Sequence, residues 1–289
     1  MLNKFRQPHL PQTDVGGSVF LVVLVSGGRS SAMMARHIQL SPKYANFEIL
    51  YVFCNTGMER PQTVNFLKNM VKYWEMPLNI IEGVYSNVPG VGVKSKVVDF
   101  ESMDMSGRVF SEAIEHLNKL KWIGVPNSAI PYCSEYLKSR VSHDFARNIF
   151  GTTKYIKAIG YRLEDMPKRI TFAELRADDK RIAPLLTDFE NIVGQKELNV
   201  FFENEPFKLE LHSDLGNCEL CWKKSKLNLV KVLQFGTRFV DWHKKEEQKY
   251  GNMFFRENLS ITDLVKLSES GIQTNMFEEV EDSCVCSFS

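Results

Sequence analysis

FLVVLVSGGRSSAMMARHIQ, residues 20–39, opens with six apolar residues, Phe20 to Val25, and breaks at Ser-Gly-Gly. An unbroken Val-rich run of that length reads as a buried strand of a parallel sheet. After Arg29 the composition changes to Ser30-Ser31-Ala32-Met33-Met34-Ala35, which favours helix. The glycine pair therefore marks a strand-to-helix corner. Gly27 and Gly28 can take positive φ and let the backbone approach a ligand closely. A helix N-terminus offers N–H groups and the positive end of its dipole, which suits a phosphate. Ser26, Ser30 and Ser31 add hydroxyls and Arg29 adds a charge. The order is neither a Walker A loop nor G-x-G-x-x-G, and a corner of this kind also occurs as a plain tight turn.

Downstream, the same grammar repeats. Residues 48–53, EILYVF, read as a second strand that ends in Cys54-Asn55-Thr56-Gly57-Met58-Glu59. Pro61 then opens a helix to about Trp74, with Val64, Leu67, Met70, Val71 and Trp74 at helical spacing. Residues 78–82 make a third strand, so the first 82 residues read β-α-β-α-β, a doubly wound, mainly parallel α/β sheet. Ligands of such sheets bind at the C-terminal strand ends. Residues 83–110 read as an irregular lid or surface loop, followed by a short helix over 111–120. A helix is expected from Tyr132 to about Phe150, and a strand over 154–159 ends in Gly160-Tyr161-Arg162 with Glu164 and Arg169 close behind. Arginine pairs suit phosphate or sulfate, although a solvated charged loop reads the same way. Residues 195–204, roughly 222–235 and 237–250, and 261–269 are expected helices. The domain reading is a polar lead-in over 1–17, a nucleotide-binding α/β domain over 18–211, and a helical, cysteine-bearing region over 212–289.

Composition excludes several classes. The 289 residues are 44% hydrophobic, and 36 Lys and Arg against 35 Asp and Glu leave a net charge of +1. That balance gives no argument for bulk nucleic-acid or acidic-membrane binding. No apolar stretch approaches the length of a membrane span, and the N-terminus lacks the apolar core of a secretory signal. Six unevenly spread cysteines are not a disulfide framework, so a reducing, cytoplasmic compartment is expected.

With three polar strand ends in view, the chain resembles the phosphoadenosine phosphosulfate (PAPS) reductase family. That family belongs to the PP-loop, adenine nucleotide alpha-hydrolase-like enzymes. Ser26-Gly27-Gly28-Arg29-Ser30-Ser31 is similar to the family's phosphate loop, commonly Ser-Gly-Gly-Lys-Asp-Ser. Asn55-Thr56-Gly57-Met58-Glu59 with Thr63 and Phe66 resembles its Asn-Thr-Gly-x-Glu segment, and Tyr132-Cys133-Ser134 with Leu137-Lys138 its Cys-Thr-x-x-Leu-Lys region. Gly160-Tyr161-Arg162 with Glu164 and Arg169 resembles its Gly-x-Arg strand end. Gly216-Asn217-Cys218 with Cys221 matches a Cys-x-x-Cys branch of bacteria and their phages. The resemblance implies an adenine nucleotide (ATP, adenylyl sulfate or PAPS) held by Ser26–Ser31, Asn55, Thr56, Gly57, Glu59, Lys138, Gly160, Arg162 and Arg169. Two departures matter. Arg29 and Ser30 replace the usual Lys and Asp, and the tail Asp282-Ser283-Cys284-Val285-Cys286 lacks the Glu-Cys-Gly-Leu/Ile-His ending of thioredoxin-linked PAPS reductases.

Cys218-x-x-Cys221 has metal-site spacing, and Cys284-x-Cys286 supplies two more sulfurs. Four thiolates suit a 4Fe-4S cluster or tetrahedral zinc, and a Cys-x-x-Cys is also a redox-active or coincidental pair. Resemblance to the adenylyl-sulfate reductase branch, where a Cys-Cys pair and a later Cys-x-x-Cys hold 4Fe-4S, implies a cluster on Cys133, Cys218, Cys221 and one tail cysteine, with Ser134 in place of the pair's other member; the rival is zinc on Cys218, Cys221, Cys284 and Cys286. Cys54 is expected to be a small buried side chain.

Three functions follow. A reductase would use a tail thiol, Cys284 or Cys286, to attack the sulfur of an adenylyl sulfate, with Arg162 stabilising charge and a thiol electron donor as partner. An ATP pyrophosphatase would use Mg²⁺ to adenylate an acceptor for sulfur or nitrogen transfer. A sulfur donor would then be its partner, and a nucleic-acid component could land on the Lys-rich stretch 222–249, which also reads as a solvated helix face. The third is a non-catalytic nucleotide-binding module.

Overall fold

The computed structural model describes residues 19–86, 88, 91–216 and 218–270. Six strands, β1 (Val19–Val25), β2 (Phe47–Cys54), β3 (Leu78–Tyr85), β4 (Val93–Val98), β5 (Ile156–Ala158) and β6 (Arg181–Ile182), form one sheet in the order β4-β3-β2-β1-β5-β6. β1 pairs in parallel with β2 and with β5, and β5 with β6; β4 runs antiparallel to β3. This is an α/β fold with a mostly parallel sheet. β1 lies between two neighbours, which is why its run from Leu21 to Val25 is wholly buried and carries no polar residue.

The helices are α1 (Arg29–Leu40), α2 (Pro61–Trp74), α3 (Arg108–Leu120), α4 (Arg140–Phe150), α5 (Phe172–Ala177), α6 (Pro184–Thr187), α7 (Gln195–Glu203), α8 (Lys226–Phe235), α9 (Val240–Tyr250) and α10 (Ile261–Glu269). A π-helical turn, Glu135–Ser139, leads into α4.

Two sequence readings need correction. Residues 83–110 are not irregular throughout: β3 continues to Tyr85, and β4 folds back on it with Tyr85 opposite Val93 and Ile80 opposite Val98. β4 is VKSKVV, an edge strand with alternating exposure and no long apolar run, so periodicity gave little to see. It is tied down from outside the ladder, because Asp144 accepts from both the backbone N–H and the hydroxyl of Ser95, at 2.8 and 2.9 Å. The helix expected from 111 begins at Arg108, with Gly107 as its N-cap, and the Asp104 carboxylate takes the first-turn N–H of Val109 at 2.9 Å.

Packing divides the chain into two compact units that interleave along the sequence. The first comprises Met1–Phe53, Asn65–Asn79 and Ala146–Leu209, and the second Cys54–Val64, Ile80–Phe145 and Glu210–Ser289. The lead-in over 1–17 lies outside the described residues. In the first unit an aromatic cluster joins Phe66 and Trp74 of α2 to Phe202 of α7 and to Phe207, with ring centroids 4.9 to 6.4 Å apart. In the second, Val109, Phe110, Ala113, Ile114 and Leu117 of α3 enter a core shared with Leu229 and Val232 of α8, Tyr250 of α9 and Leu264 of α10. Their spacing of one, three and four residues is one helical face. Among the described residues, no helix is long and apolar enough to cross a membrane.

Candidate functional site

The first unit builds a loop at the end of β1. Val23 lies opposite Ala158, so Ser26 and Gly160 leave the sheet at the same edge. A Cβ on Gly160 would stand 3.0 Å from both N and Cα of Ser31, and only glycine lets the end of β5 pass so close to the loop. The hydroxyl of Ser31 donates to the Gly28 carbonyl at 3.0 Å and accepts from Ser26 N–H at 2.9 Å. The Ser26 hydroxyl is 2.9 Å away. Since Ser31 has one hydroxyl hydrogen and gives it to Gly28, it sets the shape of the loop rather than offering a donor outward. Gly27 takes positive φ, +78°. Gly28 does not: it is the N-cap of α1 at φ −99°, ψ 161°. Gly28 has no side chain to cap α1, so among the described residues no N-cap side chain takes up the first-turn N–H groups.

Charge at this edge is uneven. Arg162 is 6% exposed, donates to Gln195 Oε1 at 2.8 Å and lies 3.7 Å from Glu164. Arg169 lies 3.4 Å from Asp165. Both arginines therefore carry local counter-charges, and their loop is not simply solvated. Arg29, the first residue of α1, has no carboxylate partner among the described residues, and its guanidinium stands 6.0 Å over the Phe202 ring. Burial, and then the like charge of Arg162, pull its pKa below the usual arginine value.

The second unit contains the Asn55–Glu59 turn, which is largely self-satisfied. Asn55 is fully buried; its amide donates to Glu82 Oε1 at 2.7 Å and to the Asp104 carbonyl at 2.8 Å, and its oxygen accepts from Gly57 N–H at 3.2 Å. Gly57 takes φ +81°, and a Cβ there would collide with the Asp104 carboxylate. The buried Glu59 carboxylate accepts from Thr56 Oγ1 at 2.7 Å, from Thr56 N–H and from Met58 N–H at 3.0 Å. Burial pushes its pKa up, against these hydrogen bonds and the charge of Lys138.

The same unit holds a pocket of about 480 Å³, counted to its mouth, lined by Cys133, Cys218 and Cys221 with Thr56, Lys138 and Trp222 among others. Cys133 thus meets Cys218 and Cys221, some 85 residues further along the chain, at one cavity. None is in a disulfide. Lys138 reaches it from the π-helical turn, and Lys223 donates to Ser134 at 3.2 Å. The loop bearing Cys218 and Cys221 is held from both ends. Glu219 N–H donates to the Met58 carbonyl at 3.1 Å, and the Glu219 carboxylate lies 3.7 Å from both Arg60 and Arg238. Below it, buried Lys224 donates to the Asp214 and Gly216 carbonyls, both at 2.7 Å, and buried Lys231 pairs with Asp214 at 3.0 Å. Two lysines of the 222–249 stretch are therefore interior clamps and not part of a solvated or nucleic-acid-facing surface.

Among the described residues, no three His, Cys, Asp or Glu side chains are grouped as a metal requires. Cys133, Cys218 and Cys221 therefore do not complete a metal centre by themselves. Cys284 and Cys286, expected as nucleophile or further ligands, lie outside the described residues, as does Asn217. Cys54 is 2% exposed, as expected. The sequence reading passed over His243, which lines the pocket with Nδ1 2.8 Å from the Phe239 carbonyl. Burial drives its pKa down to about 4, so it serves as a neutral wall. Nothing in the spacing of His243 marked it.

No family model matches the chain. It is 30% identical over 204 residues to the uncharacterized nin region protein ORF290 of Escherichia phage lambda, a match that takes in 71% of this chain and 66% of that protein. The chain thus spans just under two thirds of that relative's length, and the relative's name carries no activity.

Proposed function

We propose that the chain is an adenine-nucleotide enzyme of the PAPS reductase kind, handling activated sulfate or sulfur through a nucleotide bound at Ser26–Ser31. The observation that carries this reading is Arg29. Among the described residues it is a cation without a carboxylate partner, in the first turn of a helix whose N-cap, Gly28, makes no side-chain cap bond, and it is pressed by a second guanidinium. An anion there would relieve the repulsion and take up the N–H groups of α1. The close packing of Gly160 on Ser30 and Ser31 supports the same reading, since it keeps the loop compact without side chains over its backbone.

In this reading Arg29, the Ser30 hydroxyl and the α1 N–H groups bind phosphate or sulfate oxygens, and Arg162 stabilises charge on the transferring group. Such a donor is worth on the order of 10²–10³ in rate. Asn55, Thr56, Gly57 and Glu59 shape their own turn. The thiol-lined pocket supplies the sulfur-handling surface, and the nucleophile is assigned to Cys284 or Cys286. A 4Fe-4S cluster or zinc would need a tail cysteine beside Cys133, Cys218 and Cys221; iron, zinc and sulfide analysis of anaerobically purified protein checks it.

The deciding experiment is calorimetric titration with adenylyl sulfate, PAPS, and ATP with Mg²⁺. Tighter binding of a sulfated nucleotide upholds the reductase. Preference for ATP moves the chemistry to adenylation of an acceptor. Tight binding without turnover of any of them leaves a nucleotide-binding module, and no binding removes the nucleotide reading altogether.

A further inference from the structure

We infer that Cys218 and Cys221 form a reversible dithiol–disulfide couple that exchanges two electrons with a low-molecular-weight thiol. The inference concerns the second unit alone and does not depend on nucleotide binding.

The geometry starts with the turn between them. Glu219 and Leu220 are the turn residues that separate the two cysteines. A four-residue turn brings its end Cα atoms within about 7 Å, close to the span that a disulfide bridges. Both cysteines face one pocket, and neither is in a disulfide. Their access differs: Cys218 is half-buried, whereas Cys221 is 9% exposed. An incoming disulfide therefore meets Cys218 first and Cys221 stands behind it. The loop is anchored at Glu219 and by Lys224, so the two sulfurs are kept near each other in either redox state.

The exchange balances without a further reactant. The Cys218 thiolate attacks one sulfur of R–S–S–R, a Cys218–S–S–R bond forms, and R–S⁻ leaves to take up the proton that Cys218 lost. Cys221, as thiolate, attacks the Cys218 sulfur. The Cys218–Cys221 bond forms, and the second R–S⁻ leaves with the proton from Cys221. Two thiols are oxidised and one small disulfide is reduced to two thiols.

The test uses the full chain, purified anaerobically, reduced, and equilibrated in glutathione buffers of increasing oxidised fraction. Thiols are then trapped by alkylation and mapped by mass spectrometry. The expected result is a Cys218–Cys221 disulfide that forms at a defined glutathione ratio and reverts on reduction. Cys221→Ser should hold one glutathione on Cys218, and Cys218→Ser should release glutathione more slowly than the parent, because the attacking thiolate is gone. Three results would overturn the inference. One is no disulfide at saturating oxidised glutathione. Another is dominant pairing of Cys218 or Cys221 with Cys133 or a tail cysteine. The third is equimolar zinc or iron that keeps both thiols unreactive in the purified protein. Because no nucleotide is present, failure here leaves the nucleotide reading intact, and the reverse also holds.

Discussion

The hydroxyl of Thr56 lies 3.4 Å from the sulfur of Cys218 and 2.7 Å from the carboxylate of Glu59. Its single hydrogen goes to Glu59, so the S–H of Cys218 is the donor toward Thr56. One side chain thus ties a buried carboxylate to the cysteine loop. Thr56→Val keeps the shape but leaves Glu59 short of a donor, and should cost about 1–3 kcal/mol of stability. Thr56→Ser should recover most of it. Urea unfolding of the three proteins checks both statements, and equal midpoints would show that the hydroxyl contributes nothing.

Gly28 and Gly160 should respond differently to one added methyl group. Gly28 is extended, and a Cβ there would find its nearest neighbour, Ser26 Oγ, 3.7 Å away. Gly28→Ala should therefore fold with a loss of at most about 1 kcal/mol, the cost of alanine at an N-cap. If the loop holds phosphates, the same methyl group should weaken nucleotide binding at least about tenfold, about 1.4 kcal/mol. At Gly160 the methyl group meets backbone at 3.0 Å, and overpacking of this kind costs about 1–3 kcal/mol. Thermal unfolding with nucleotide titration separates the two effects.

These two glycines also mark how far the sequence could be read. The run Phe20–Val25 announced a central strand because burial on both faces leaves no polar position, and the Gly-rich corner followed from it. What the strand-end motifs touch was not legible. Asn55, Ser31 and Glu59 are residue types that serve a ligand or a turn equally well; here Ser31 and Glu59 bond within their own loops, and Asn55 bonds to Gly57 of its turn and to Glu82 and the Asp104 carbonyl beyond it. β4 was missed because a half-solvated edge strand has no apolar run. The meeting of Cys133 with Cys218 and Cys221 depends on packing between segments some 85 residues apart, which no local pattern encodes.

Arg29 should be needed for binding and dispensable for folding. It has no carboxylate partner among the described residues and is disfavoured by burial and by Arg162. Arg29→Ala should leave stability unchanged or slightly higher, and lower affinity for any anion at the α1 N-terminus by about 1.5–3 kcal/mol, the worth of a hydrogen bond to a charged group. Calorimetry with the tightest-binding nucleotide, beside urea unfolding, reads both. Unchanged affinity would remove Arg29 from the site.

The clamp beneath the cysteine loop should be costly to break from one side. Lys231 and Asp214 are both 3% exposed and 3.0 Å apart. Lys231→Met leaves a buried carboxylate without its cation, a change worth about 3–5 kcal/mol. Pairing it with Asp214→Leu should recover part of that loss, because two apolar residues carry no desolvation penalty. Urea midpoints of the single and double variants test this. Alkylation of Cys221 should accelerate in the single variant, since its loop loses an anchor.

Acid should weaken the first unit through Asp188. Burial pushes this carboxyl up, but hydrogen bonds from His37, Lys43 and Tyr44, with the charge of Lys43, outweigh it and hold the group well below the ordinary carboxylate range. The sign follows from linkage. A carboxylate with a depressed folded pKa contributes stability that is fully present above its unfolded value, near 3.9, and is lost as pH falls toward the folded value. Stability measured by urea unfolding should therefore decline from about pH 5 downward, with a shallower decline in Asp188→Asn. That variant should be less stable at pH 7 and converge with the parent in acid. Parallel pH profiles in the two proteins would show that Asp188 carries none of the acid sensitivity.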